Sequence, residues 1–292
     1  MHVGGLQQVI NALSTGGVYA LIALGYTLVF GVLRLINFAH CDVMMVGAYV
    51  GYIAAAWLHL PLLPALVLSM GICALLGVIL ERFAYRPVRQ SPGIAALVVA
   101  IGASLLIEYT IMLAFGASPK AVNFNELNGV MNLFGASIPV SRLFMLAVSI
   151  LLMLALQGIL THTKSGRAMR AMACDSEAAK LCGVNLNATT MLAFALGSAL
   201  AGTCGVLYGS MFAINPLMGV SPGLKAFVAA VVGGIGSIPG AVLGGLALGL
   251  CETFAAVFIS TSFKDAAAFV MLIGVLLIRP GGITNSQWVD RA

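Results

Sequence analysis

Residues 36 to 49, INFAHCDVMMVGAY, set His40, Cys41 and Asp42 side by side in a chain otherwise poor in ionisable groups. These residue types can ligate a metal, act as acid, base and nucleophile, or supply polar lining inside an apolar body. Neighbouring residues on a helix project about 100° apart, so His40 and Cys41 do not converge on one metal or substrate unaided. The remaining histidines, at 2, 59 and 162, complete no zinc spacing, and the six cysteines include no CxxC pair. Neither a metal site nor disulfides are indicated, and cysteine in apolar surroundings behaves as a small hydrophobe.

Four ionisable residues fall within or close to long apolar runs: Asp42, Glu108, Lys225 and Glu252. A charge at the centre of a membrane helix costs about 2.5 to 3.5 kcal/mol on insertion scales, so such groups are buried, paired or functional. Glu108 falls near the middle of its run and reads equally as a hydrogen-bonded structural carboxyl or as lining of a pathway. Lys225 and Glu252 lie nearer the ends of theirs, where snorkelling to the interface accounts for them. No GxxxxGK[ST] phosphate loop, HExxH or GxSxG occurs, and no span carries an arginine ladder.

The elements that must position these residues belong to a membrane. Hydrophobic residues make up 61% and charged residues 8% of the 292-residue chain, and mean hydropathy is +1.08, against about a quarter charged in soluble proteins. Apolar runs near 6 to 31, 39 to 58, 62 to 81, 93 to 116, 140 to 160, 188 to 212, 223 to 260 and 265 to 279 predict about eight spans in one all-α polytopic domain, residues 1 to 292. The first run lacks a basic leader and a small-residue cleavage site, so it reads as a retained span. The run at 223 to 260 is too long for one span and is interrupted by GGIGSIPG at 233 to 240. Its glycines and Pro239 predict a half-helix, a bend and a full span, with a functional break at Gly233, Gly234, Gly236 and Pro239. Elsewhere small residues recur four apart, at Gly47 and Gly51, Gly205 and Gly209, Gly240 and Gly244, and Gly245 and Gly249. That spacing lets helix backbones approach closely in lipid.

The net charge of +5, from 14 Lys and Arg against 9 Asp and Glu, points to cytoplasmic loops and not to nucleic acid. Arg82, Arg86 and Arg89 form one basic loop, and Lys164, Arg167, Arg170 and Lys180 another, with two spans between them. Both belong inside, which puts residues 117 to 138 and the amino terminus outside and Arg34 at the inner face. Arg279 and Arg291 favour the cytoplasm for the carboxy terminus. The loop near 161 to 187 carries six charges between Lys164 and Lys180, namely those two with Arg167, Arg170, Asp175 and Glu177. Its apolar members Ala168, Met169, Met172, Ala178, Ala179 and Leu181 predict a short helix with one face for a partner; a plain solvated loop is the alternative.

No short repeat is visible, yet a glycine-rich interrupted segment stands near each end, GVLRLINFAHCDVMMVGAY and VVGGIGSIPGAVLGG. Interrupted segments in corresponding halves point to a transport pathway at a repeat interface. The stretches GGVYALIALGYTLVFGVLRLINFAHCDVMMVGAY, SGRAMRAMACDSEAAKLCGVN and INPLMGVSPGLKAFVAAVVGGIGSIPGAVLGGLALG, spread from residue 16 to 249, resemble the LivH-type permease of bacterial branched-chain amino-acid ABC importers.

That resemblance implies a permease of the ABC importer type in the bacterial inner membrane. Its implied partners are a LivM-like second permease, two ATP-binding subunits that hold the ATP, and a periplasmic solute-binding protein. No cofactor is implied for the chain itself. The loop near 161 to 187 becomes the coupling element, with Arg167, Arg170, Asp175, Glu177, Ala178, Ala179 and Gly183 toward the ATPase. EAAKLCG looks like the EAA-loop pattern, although the Ile and Leu-Pro positions expected downstream are absent. The family usually has glycine where Cys41 stands, and ordinary backbone is expected there. Asn37, His40 and Asp42 become pathway residues together with the glycine break. Asn37 is suited to cap the following helix, and Asp42 is stabilised by the positive helix end. Two other readings stay open: a secondary transporter or channel working alone, which broken helices and membrane carboxylates fit, and a membrane-embedded enzyme using His40, Cys41 and Asp42.

Overall fold

The structure, a computed structural model, describes residues 2–89, 91, 93–133 and 136–284. Helix α1 (His2–Leu33) leads to α2 (His40–Ala56) and α3 (Leu62–Ile79), which continues through a π-helical turn, Leu80–Tyr85, into α4 (Arg86–Val88). Helix α5 (Gly93–Phe115) follows, then a two-stranded antiparallel hairpin of β1 (Val130–Leu133) and β2 (Ala136–Pro139), with Val130 opposite Pro139. Next come α6 (Val140–His162), α7 (Lys164–Cys174), α8 (Ser176–Leu181), α9 (Leu186–Gly209), α10 (Val220–Gly233), α11 (Ile238–Phe258) and α12 (Lys264–Ile278). Among the described residues the hairpin is the one sheet in an otherwise helical chain.

Among the described residues seven helices are long and apolar enough to cross a membrane. The two shorter apolar ones, α2 and α10, account for the rest of the expected spans. Residues 223 to 260 divide where the glycine-rich stretch at 233 to 240 requires: α10, a turn, then α11.

Helices α1 and α9 are buried along most of their length, whereas α5, α6 and α12 expose theirs. Small residues create that arrangement. A side chain on Gly245 would strike the Ala20 backbone, one on Gly249 would strike Gly16, and one on Gly16 would strike Gly245, so α1 and α11 lie antiparallel in close contact. Gly47 abuts Gly202 in the same way, and Gly205 the Met44 carbonyl, seating α2 on α9. Lipid gives no reward for merely burying apolar surface, so backbone approach and dispersion hold these seams. Ser69 of α3 reinforces them, donating to the Gly47 and Gly202 carbonyls at 3.2 and 2.9 Å.

The two basic loops lie at one end. Arg89 donates to Asn187 at 3.2 Å and to Thr190 at 2.7 Å, at the start of α9. Arg86 and Arg89 also border the same surface hollow as Ser176, Glu177 and Lys180. Leu33 at the end of α1 packs there against the Tyr85 and Phe194 cluster. Lys120, in the loop after α5, pairs with Ile214, in the loop after α9, at the opposite end. The end that carries Arg86, Arg89 and Lys180 is thus the basic one. Helix α12 returns toward that end, where Ile283 and Thr284 donate to the Val232 and Gly233 carbonyls; Arg291 lies outside the described residues.

Candidate functional site

The two short helices start against each other. Helix α1 ends at Arg34, whose left-handed backbone (φ 54°) halts it, and the chain re-enters helix only at His40. Helix α10 starts at Val220, after a loop whose Ile214 is fully buried. A Cβ on Gly219 would sit 2.7 Å from the Cys41 carbonyl and 3.3 Å from Asp42 Oδ1, and one on Gly223 would overlap Cys41 Sγ. The amino-terminal, positive ends of both helices therefore meet in the interior of the bundle.

A cavity of about 210 Å³ lies beside this junction, lined by α2, α5 and α10 with Tyr26 of α1. Its polar lining is Asp42, Ser104 and the Tyr26–Cys41 pair, whose hydroxyl and thiol are 3.0 Å apart. The rest is largely Phe38, Ile101, Leu105, Leu224 and Phe227. Asp42 is 5% exposed and its Oδ2 accepts a hydrogen bond from Ser104 Oγ. No Lys, Arg or His among the described residues forms an ion pair with it. Ile101, Leu105 and Leu224 are all substantially exposed, so the cavity opens on the flank formed by α5 and α10.

The other expected pathway residues divide between this junction and a second place. His40 is wholly buried, its ring 5.1 Å from that of Tyr26 and filling the space that a side chain on Gly25 would take. Neither ring nitrogen closes a well-directed hydrogen bond. Asn37 does not cap α2. The residue in the cap position is Ala39, which provides no side-chain bond, and Asn37 instead accepts from Tyr85 OH at 2.7 Å. This ties the loop before α2 to the π-helical turn. Cys41 is ordinary helix, and Asp42 does occupy the first turn of α2.

Gly233, Gly234, Gly236 and Pro239 lie at the far end of α10, thirteen residues beyond Val220, or about 20 Å along the helix. Gly234 and Gly236 have φ of 104° and 92°, conformations open to glycine. Pro239 does not break a helix. It stands in the first turn of α11, where the missing N–H costs nothing, and Ser237 caps that helix through the Gly240 N–H at 3.2 Å. Gly233 and Gly240 approach closely enough to exclude any side chain. The glycine break is thus a tight α10–α11 turn, separated from Asp42.

Lys225 and Glu252 do not snorkel independently. Lys225 Nζ lies 2.9 Å from Glu252 and 2.8 Å from Asp265, and Tyr19 OH donates to the other Glu252 oxygen at 2.9 Å. Glu252 is buried, so this network locks α1, α10, α11 and α12 together. Glu108, also buried, sits four residues after Ser104 on α5 and does not line the cavity.

At the basic end α7 and α8 form a hairpin. Thr163 caps α7 through the Gly166 N–H at 3.0 Å, and Asp175 caps α8 through the N–H groups of Glu177 and Ala178 at 2.8 and 3.0 Å. Gly183, at φ 84°, turns the chain toward α9. The face expected to await a partner is largely used internally, since Met169, Met172 and Ala179 are buried in the protein's own core. What points outward is Arg167, Arg170, Glu177, Ala178 and Leu181, the last 89% exposed.

Sequence reasoning had no hold on Ser104, Tyr85 or Asp265, single polar residues whose partners are distant in the chain. Gly219 and Gly223 did leave a signal, a further pair of glycines four apart, directly before the expected half-helix.

A polytopic bundle with an interrupted-helix junction inside and a capped hairpin at its basic end is the architecture of a transport permease. Residues 8–278 match the family described as the permease component of the branched-chain amino acid transport system. The chain is 41% identical to the high-affinity branched-chain amino acid transport permease LivH of Escherichia coli K12 and 40% identical to BraD of Pseudomonas aeruginosa, with 98% of this chain and 97% of each relative aligned. It is 26% identical to the ribose import permease RbsC of Escherichia coli K12, over 93% of this chain and 85% of that one. Among solved structures, an inward-facing metal-chelate type ABC transporter superposes with a TM-score of 0.50 at 19% identity, covering 94% of this chain and 87% of that chain. PsaBC of Streptococcus pneumoniae gives a TM-score of 0.50 at 14% identity, over 93% and 91%. These structures share the fold alone. The chain belongs to the branched-chain amino acid transport permease family, of the LivH type.

Proposed function

We propose that the chain is the transmembrane permease subunit of an ATP-driven importer, carrying branched-chain amino acids or related small polar solutes across the bacterial inner membrane. The observation that carries this reading is the α7–α8 hairpin, capped at both helix starts and directing Arg167, Arg170, Glu177, Ala178 and Leu181 away from the protein. The chain has no phosphate loop of its own. An outward-facing hairpin anchored by Met169 and Met172 is suited to transmit movement of two ATP-binding partners into α6 and α9. Asp175 and Gly183 serve by shaping it, and Ala179 by seating it.

The pathway in this reading passes the junction of α2 and α10. Asp42 lines a cavity that opens on a flank too apolar to face water and too charged to face lipid. A LivM-like second permease covering that flank resolves the conflict and leaves a conduit between the two subunits. Asn37 and His40 hold the junction from behind, and the glycine turn at Gly233, Gly234, Gly236 and Pro239 lets α10 tilt against α11. A periplasmic binding protein delivers substrate at the end that carries the β1–β2 hairpin.

The test is reconstitution in proteoliposomes. L-Leucine uptake should require ATP, the second permease, the ATP-binding subunits and the binding protein together. ATP-dependent uptake by this chain alone would overturn the proposal, and uptake driven by an ion gradient without any ATPase would replace it with a stand-alone transporter.

A further inference from the structure

We infer that the cavity between α2, α5 and α10 is a recognition site for the ammonium group and aliphatic chain of a small solute, with Asp42 receiving the ammonium. The inference rests on the import reading above and assigns the chemistry of that pathway to particular atoms.

A buried carboxylate normally has a cation or several donors beside it. Asp42 is 5% exposed, yet among the described residues it has the Ser104 hydroxyl and no cationic partner, while it faces an open cavity of about 210 Å³. Nearby Lys225 is committed to Glu252 and Asp265. The positive ends of α2 and α10 face Asp42 without supplying a full charge, so the partner it lacks is a positive group that enters the cavity. Tyr26 and Cys41, the other polar lining groups, bond to each other and offer little competition.

The remaining walls define the rest of the ligand. Helix α10 begins at the cavity with no acidic residue in its first turn and no side-chain cap on Gly219. Its positive end faces Asp42 and offers no free anion site, since the Val220 N–H is bonded to the Leu217 carbonyl, Pro222 has none and the Gly223 N–H is bonded to the Gly219 carbonyl. Leu105, Leu224 and Phe227 offer apolar surface for a branched chain. Gly219 and Gly223 keep the space open, because a Cβ at either would press on Cys41. Ammonium and aliphatic chain thus each have a counterpart within one small volume.

The experiment uses the assembled transporter in proteoliposomes, with the exposed Cys174 and Cys182 replaced by serine and Leu105→Cys as a reporter at the cavity mouth. Labelling rates are compared for a cationic aminoethyl and an anionic sulfonatoethyl methanethiosulfonate. The cationic reagent should react faster by about tenfold, since one desolvated charge acts at close range. Asp42→Asn should abolish that preference and Asp42→Glu restore it. L-Leucine should protect the reporter, whereas 4-methylpentanoate, which lacks the ammonium, should not. Equal rates for the two reagents, a preference unchanged in Asp42→Asn, or equal protection by both compounds would each overturn the site. Labelling needs no turnover, so failure here is distinct from failure of ATP-driven uptake.

Discussion

Asp42 and Lys225 lie on the two helices that meet at the junction, and their charges are handled in opposite ways. Lys225 is held between Glu252 and Asp265, with Tyr19 completing the buried carboxylate, so that every strong group faces another. Asp42 has a hydroxyl and a cavity. The first arrangement is what a membrane protein needs in order to keep charge inside without instability. The second leaves the carboxylate with a hydroxyl and the partial charges of two helix ends, a demand that the fold satisfies only in part. Two ionisable residues that look alike in an apolar sequence thus separate into a brace and a binding group, and the distinction lies wholly in what stands opposite them.

The largest stability effect should come from breaking the brace. Lys225→Met leaves Glu252 buried without its cation, a loss of about 3–5 kcal/mol. It should appear as a lower melting temperature and poorer recovery of the detergent-solubilised transporter, and adding Glu252→Gln should recover much of the loss. If Lys225→Met melts like the parent, Lys225 is no brace and the contrast with Asp42 fails. Tyr19→Phe removes one hydrogen bond to the same carboxylate and should cost about 1.5–3 kcal/mol by the same thermal assay.

Asp42→Asn should behave in the reverse sense. Its amide oxygen can still accept from Ser104, so stability should change by no more than about 1 kcal/mol, while L-leucine uptake in the reconstituted system falls by about tenfold or more. A protein that melts early and transports normally would make Asp42 a second brace. The smallest stability effect belongs to the hairpin: Leu181→Ser changes an exposed side chain and should shift stability by less than about 0.5 kcal/mol. Its expected signature is uptake reduced relative to ATP hydrolysis, measured on the same vesicles.

Much of the framework was legible in the sequence. The apolar runs become the helices, the two basic loops come together at one end, and GGIGSIPG separates a half-helix from a full span. Spacing of small residues foretold the seams at Gly47, Gly205, Gly245 and Gly249, because backbone approach needs only a local pattern repeated on one helix face. The site was legible in part. Asp42 stood out as a charge in an apolar run, but Ser104 and Gly219 did not stand out as its neighbours. Asn37 had the composition of a cap and became the acceptor for Tyr85, since a tertiary partner outcompeted the local one. The apolar face of the α7–α8 hairpin turned inward because Met169 and Met172 gain more from the core than from exposure.

The sequence by itself determined that this chain crosses a membrane repeatedly, which end of the bundle is basic, where its helices are interrupted and which family it belongs to. The first three follow from hydropathy, charge and local backbone preference, and the family from the resemblance of whole stretches to known permeases; all are properties of contiguous residues. Only the tertiary structure decided that α2 and α10 start against each other, that Lys225 finds two acids and Asp42 no cation, and which side of the hairpin remains free. Each of those depends on pairs of residues separated by tens to hundreds of positions, and the energy of a charge in an apolar medium is set by whatever group the fold brings to face it.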